Sequence, residues 1–194
     1  MAVRRSIDMR GFWRDTGGAT ALEFALITPL MLILLFATVD VGMEILLDSA
    51  LEHGAQAAAR IGMTVQTESG ISREQAVYNE VWYWVGPWLQ NQGQLTVTEE
   101  TYPAFSDIGM PEPCGDDSYA KTGVCTGPYT DVNGNGHWDA DMGSNGLGGY
   151  GAIVRYQFQI SRPTFTGILQ LLGISLFSLQ RTVVLQNEPQ NSQS

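Results

Sequence analysis

The stretch from Phe24 to Val39, FALITPLMLILLFATV, is sixteen consecutive residues without a charge, bounded by Glu23 and Asp40. A helix needs about 20 predominantly apolar residues to cross a bilayer. The run reaches that length only if it begins near Ala19 and takes in Glu23. Its flanks give it a direction. Residues 1–18 hold Arg4, Arg5, Arg10 and Arg14 against Asp8 and Asp15, whereas the rest of the chain carries 6 basic and 18 acidic side chains. The arginine-rich side is expected to stay cytoplasmic, which puts the acidic body outside. The overall charge of −10 argues against nucleic acid as a partner.

Glu23 is the residue that a plain anchor leaves unexplained, because an acid within a membrane segment is costly and marks function by default. A removable secretory signal needs a small-residue cleavage site after its apolar core, and ATVDVG at 37–42 offers a weak one. RRSIDM at 4–9 lacks the apolar followers of a twin-arginine signal. A third reading uses the acid directly. Counted from Ala19, Glu23 is the fifth residue and Phe24 the sixth. Cleavage after Gly18 creates an amine at Ala19, and the carboxylate of one subunit can neutralise the amine of its neighbour. Paired charges avoid the penalty that each suffers alone, and only one axial offset between subunits brings them together.

Gly18, Glu23 and Phe24 match the pattern of type IV prepilins, and with Pro29 the apolar stretch resembles the Tad (Flp, tight adherence) branch. The continuation EHGAQAAARIG at 52–62 and the sequence QNEP at Gln186–Pro189 resemble the TadE-like minor pseudopilins. The resemblance covers about residues 17–62. It implies cutting between Gly18 and Ala19 by a prepilin peptidase at the inner membrane, with other Tad pilus subunits and the inner-membrane assembly platform as further partners. It also implies a place in or at the tip of a pilus that supports biogenesis and surface adherence. Pro29 removes one helix hydrogen bond; a kink is the simple reading, and membrane helices tolerate it.

Beyond the run, Asp40, Glu44, Asp48 and Glu52 recur at every fourth position, and Val41, Ile45, Leu46, Leu47, Leu51, Ala55, Ala58 and Ile61 largely cover another side. The same helix is therefore expected to continue to Val65 as a stalk. Like charges at this spacing destabilise an isolated helix, so the stripe needs water or a basic partner. Gly42, Ser49, Ala50, Gly54 and Ala57 permit close approach by another backbone. Thr67–Gly70 reads as a break. Ser72 with Gln75 three residues later forms a capping-box pattern, opening a second helix in which Val77, Val81, Trp84, Val85 and Trp88 share one face and Trp82 and Tyr83 widen it. This aromatic cluster is expected in the core, with an interfacial belt as the alternative. Pro87 limits or kinks that helix.

Strands are expected at QLTVTEET from Gln94, at GAIVRYQFQI with Val154, Tyr156, Phe158 and Ile160 facing the core, and at ISLFSLQRTVVLQ. Thr164–Leu172 reads as a short amphipathic helix between the last two. The segment 109–151 holds 11 of the chain's 22 glycines together with its only cysteines, Cys114 and Cys125. The two cysteines cannot build a four-ligand zinc site, and in an oxidising compartment they close a short loop. Within it, DVNGNGHWDADM places Asp131, Asn133 and Asn135 at positions one, three and five of a calcium loop, the His137 carbonyl at seven and Asp139 at nine. Met142 stands where the bidentate Glu belongs, and Asp141 falls one residue early. The alternative is a run of Asn-Gly turns.

The expected architecture is α+β and pilin-like: a long N-terminal membrane-spanning helix extended as a stalk, a second helix, a small antiparallel sheet, and a long Gly-rich, disulfide-clipped loop. The parts are a basic cytoplasmic leader at 1–18, the assembly helix at 19–65, a periplasmic or extracellular domain at 66–189, and a disordered tail at 190–194. No nucleophile-base-acid set or phosphate loop appears, so an enzyme is not expected. The rival is an uncleaved, single-pass anchor presenting a binding domain with a calcium-stabilised loop.

Overall fold

The structure is a computed structural model that describes residues 17–64, 70–89 and 92–188. The leader through residue 16, the break around Thr67 and the tail from Pro189 lie outside the described residues. Helix α1 runs Gly17–Met63 and α2 runs Arg73–Leu89. They are followed by β1 (Gln94–Tyr102), α3 (Ser118–Thr122), β2 (Ser144–Asn145), β3 (Ile153–Pro163) and β4 (Leu176–Gln186), with one-turn 3-10 helices at Phe105–Asp107 and Ile168–Leu172. The chain divides into two compact units: residues 1–43 with 164–175, and residues 44–163 with 176–194.

In the larger unit the sheet order is β2-β1-β3-β4, with every neighbouring pair antiparallel. The alternation of β3 is as the sequence predicts: Val154, Tyr156, Phe158 and Ile160 are buried on one face. They meet Leu47, Leu51, Ala55 and Ala58 of α1 and Val77, Val81, Val85 and Leu89 of α2 in one core cluster. β2 was not foreseen. Its two polar residues pair with Glu100 and Thr101 at the free edge of β1, which caps an edge otherwise open to strand addition.

The aromatic cluster of α2 corrects the sequence reading. The buried positions are the valines and Leu89, while Trp82, Tyr83 and Trp84 are exposed, Tyr83 by 73%. The reason is distance. A Cβ on Gly54 would stand 3.3 Å from the Trp84 Cβ and 3.4 Å from the Val81 Cα, so α1 and α2 approach too closely there for an indole ring between them. Of the five small residues expected to permit such an approach, Gly54 does so, and Gly42 faces open space.

The ends of α2 are fixed by side chains. The Ser72 hydroxyl accepts from the Gln75 amide at 3.2 Å, half of the capping box; the Gln75 side chain turns instead to Asn79. At the other end the buried Arg162 guanidinium donates to the Trp88 carbonyl at 2.7 Å, placing positive charge at a helix C-terminus where the dipole favours it. Pro87 lies within the helix, which continues to Leu89. The acidic stripe of α1 finds its cation inside the chain: Arg181 of β4 reaches Asp48 at 2.5 Å and Glu52 at 2.8 Å.

Asn187 and Glu188, the central residues of QNEP, close the larger unit. The Asn187 side chain donates to the Leu147 and Gly149 carbonyls at 2.8 Å each, and the Glu188 amide satisfies the Met63 carbonyl at the end of α1. Nearby, burial pushes the Tyr156 hydroxyl up to about 12, so the phenol is neutral where it packs over Gly62. A Cβ on Gly62 would lie 2.5 Å from that hydroxyl, and Tyr156 is fully buried and stacked on Phe158. Gly62→Ala is therefore expected to destabilise the domain by about 1–3 kcal/mol through overpacking, read as a lower denaturation midpoint of the full chain by tryptophan fluorescence.

Candidate functional site

Two regions carry the residues singled out by the sequence. The first is the start of α1. The described part of the helix starts at Gly17, and the Gly18–Ala19 bond lies within it. Glu23 and Phe24 are exposed, and among the described residues Glu23 has no partner. Pro29 sits within the helix, while the Thr28 hydroxyl donates to the Phe24 carbonyl at 2.6 Å. Leu26, Ile27, Leu30, Leu34 and Leu35 are all more than half exposed. The segment from Thr20 has a mean hydropathy of 2.3 in its most apolar window, long and apolar enough to cross a membrane.

At the far end of the charge-free run stands Asp40, fully buried. Its Oδ1 accepts from the Thr166 amide at 2.8 Å and its Oδ2 from the Thr166 hydroxyl at 2.6 Å. The two acids that bound the run are thus in opposite states. Asp40 is held by its own chain, and among the described residues Glu23 has no such partner.

The second region is the glycine-rich loop. Cys114 and Cys125 are joined in a disulfide with Cα atoms 5.7 Å apart. The adjoining backbone is laddered, with Gly115 donating to the Pro128 carbonyl and Thr130 to the Pro113 carbonyl. Inside the clip, two bonds from Ser118 hold the Asp116 carboxyl below its ordinary range. Of the residues assigned to a cation, four converge. Asp131 accepts from the amides of Gly134, Asn135 and Gly136. The amides of Asn133 and Asn135 both donate to Asp139 Oδ2, at 2.8 and 2.5 Å, and keep that carboxyl low. His137 joins through its backbone amide, which donates to the Asn135 side chain. Asp141 departs from the set: it pairs with Arg155 at 2.6 Å, and Arg155 also binds Glu100 of β1 and lies 5.2 Å over the Tyr102 ring.

Sequence reasoning missed Glu112. It is 1% exposed, and its carboxylate accepts from the amides of Val132, Asn133 and Asp139, at 2.7, 3.3 and 3.1 Å. Its carbonyl takes the Trp138 indole N–H, and its own amide donates to Asp139. An acid between two prolines in PEPC carries no periodic signal; only the folded loop gives it partners.

A helix long and apolar enough to cross a membrane, and a helix-on-sheet unit that bears a disulfide-clipped loop, define the class as α+β with one candidate membrane span. The family model described as TadE-like protein matches residues 18–60, nearly the whole of α1. Over those residues the amino-terminal segment is TadE-like. No curated protein and no solved structure matches the chain.

Glu112→Ala leaves three part-buried amides without their acceptor, and a fully buried orphan costs about 1–3 kcal/mol. The loop of that variant is expected to be cut by protease between residues 112 and 143 while the sheet persists. Limited proteolysis with mass analysis of the fragments, beside far-ultraviolet dichroism, checks this.

Proposed function

We propose that this chain is a minor pseudopilin of a Tad pilus. In this reading a prepilin peptidase cuts after Gly18, and the mature subunit enters or tips the filament through its amino-terminal helix. The N-terminus of the precursor is cytoplasmic and the α+β body lies outside, so residues 1–18, 19–65 and 66–189 act as leader, assembly helix and exported domain. The role is structural rather than enzymatic, serving pilus biogenesis and adherence.

The observation that carries the reading is Glu23, without a partner among the described residues, on an apolar, TadE-like helix. A charged side chain at the centre of a membrane helix costs about 2.5–3.5 kcal/mol on insertion scales. An acid placed where a neighbour's Ala19 amine can meet it recovers that cost on assembly.

The mass and N-terminus of the membrane-extracted protein test it. The expected chain starts at Ala19, and Glu23→Ala is expected to be cleaved but lost from purified pili. A chain that still starts at Met1 in working pili would favour the uncleaved anchor, which tolerates that substitution.

A second reading concerns the clipped loop, where Asp131, Asn133, Asn135 and Asp139 stand at calcium-loop spacing, the Asn133 and Asn135 side chains donating to one Asp139 oxygen and Asp131 accepting from the Gly134, Asn135 and Gly136 amides. Calcium bound there draws its oxygens from these side chains and the His137 carbonyl. The site is weak, because Asp141 is committed to Arg155, and affinity falls in the range of extracellular modules, about 10⁻⁴–10⁻³ M. Millimolar calcium, but not magnesium, is expected to raise the melting temperature, and Asp131→Ala to abolish the rise. An unchanged melting temperature of the native chain removes calcium from the account.

A further inference from the structure

The segment between β3 and β4 is the least expected surface of the molecule. From Pro163 to Gln180 the sequence PTFTGILQLLGISLFSLQ contains no charge over 18 residues. Its middle is ordered. Gly167 and Gly173 take φ of +72° and +84°, a region that favours glycine, and bracket the 3-10 turn Ile168–Leu172. The Gly173 amide donates to Gln170 and the Ile174 amide to Leu169.

This turn buries Leu169 and presents Leu171, Leu172 and Ile174 outward, 74%, 61% and 45% exposed. Three large aliphatic side chains held out on a rigid turn are not a solvated loop tip, where small and polar residues are usual. Residues 164–175 form one compact unit with the amino-terminal part of α1. The tie between them is Asp40, which closes the charge-free run and holds Thr166 by two hydrogen bonds. Ile33, Ala37 and Asp40 are shielded, while Leu32, Leu34, Leu35, Phe36 and Val39 around them are exposed. Spacings of four and three put the shielded positions on one face of the helix, the face that carries Asp40. The turn is therefore fixed beside the last turns of the run.

We propose that the turn at Gly167–Ile174 is a second membrane contact, with Leu171, Leu172 and Ile174 seated in the outer-leaflet boundary between headgroups and acyl chains. The proposal rests on the reading of α1 as a membrane span. Three observations select lipid as the occupant. The surface is continuous with the exposed apolar run of α1. Neither it nor its flanks bear a charge that a headgroup or water would have to solvate. The one carboxylate at the junction, Asp40, has both oxygens satisfied internally, so it can lie at the boundary without the cost of an unpaired acid. The contact would set the depth and rotation of α1, since a single helix is otherwise free to turn about its axis.

Full-length chains carrying Leu171→Cys, Ile174→Cys or Leu34→Cys, with the native disulfide intact, are labelled with an environment-sensitive fluorophore. They are reconstituted into vesicles of equal parts phosphatidylcholine and phosphatidylglycerol. Emission is challenged with aqueous iodide and with lipids bearing a nitroxide high on the acyl chain or near its end. The expected result is a blue shift at positions 171 and 174, loss of emission to the high nitroxide and little loss to iodide, with Leu34→Cys quenched by the deep nitroxide. Iodide quenching at 171 and 174, with position 34 still in lipid, overturns the proposal and leaves the span standing. Protection of 171 and 174 from both quenchers overturns it in favour of a covering protein surface. Failure of lipid to quench position 34 overturns the span itself and the proposal with it.

Discussion

A helix of 47 residues has to satisfy two solvents along one axis. Most of its backbone hydrogen bonds are closed within the helix and need nothing from either. Its side chains are not neutral in this way. From Leu22 to Leu46 most of the large apolar residues are exposed, and from Leu47 to Ala59 the inward-facing ones are buried against α2 and the sheet. Apolar surface left in water is unfavourable by roughly 25 cal/mol per Å², so the first stretch demands lipid or a partner helix as firmly as the second demands the core. The change of demand occurs within two turns, and the acids Asp40, Glu44 and Asp48 stand at it.

The acidic body is stabilised by placing its few cations where they do most. Arg181 binds two acids of the α1 stripe, Arg162 closes the end of α2, and Arg155 ties the clipped loop to the sheet through Glu100 and Asp141. Arg73 adds a fourth tie, donating to the Leu147 and Gly148 carbonyls at 2.6 and 2.8 Å. All four of these cations bridge segments distant in sequence. A loop rich in glycine loses much conformational entropy on ordering, and these charge-assisted bonds, with the disulfide and Glu112, offset that loss.

How much of this could be read in the sequence depends on whether a feature is periodic. α1 and β3 were legible because burial follows their repeat: the uncharged run gave the first, and alternation at Val154, Tyr156, Phe158 and Ile160 gave the second. The disulfide followed from there being two cysteines and a compartment. In α2 the period was right and the ranking of faces wrong. Valines and tryptophans both lie on apolar faces, and hydrophobicity favours the larger ring, but the close approach at Gly54 leaves room only for the smaller side chain. Features that depend on distant partners left no local trace. Arg181 lies 133 residues from Asp48, Glu112 binds amides 20 to 27 residues on, and the Ser-Asn pair of β2 has no strand propensity to announce it. Of the candidate site, Glu23 was legible because an acid in an apolar run violates its surroundings; that Asp40 is its opposite was not.

The contrast between those two acids carries the functional argument furthest. Both border the same charge-free run, and both would be costly in hydrocarbon if left alone. Asp40 meets the backbone and hydroxyl of Thr166, two donors that its own chain delivers at hydrogen-bond distance, so its energy does not depend on whether another subunit is present. Glu23 has no such donor among the described residues. A protein that needed only an anchor would gain by replacing it, since the alternative residues in this run are uniformly cheaper to insert. A carboxylate without a partner among the described residues, one run away from a carboxylate that has one, is the contrast on which the proposed assembly role of Glu23 rests.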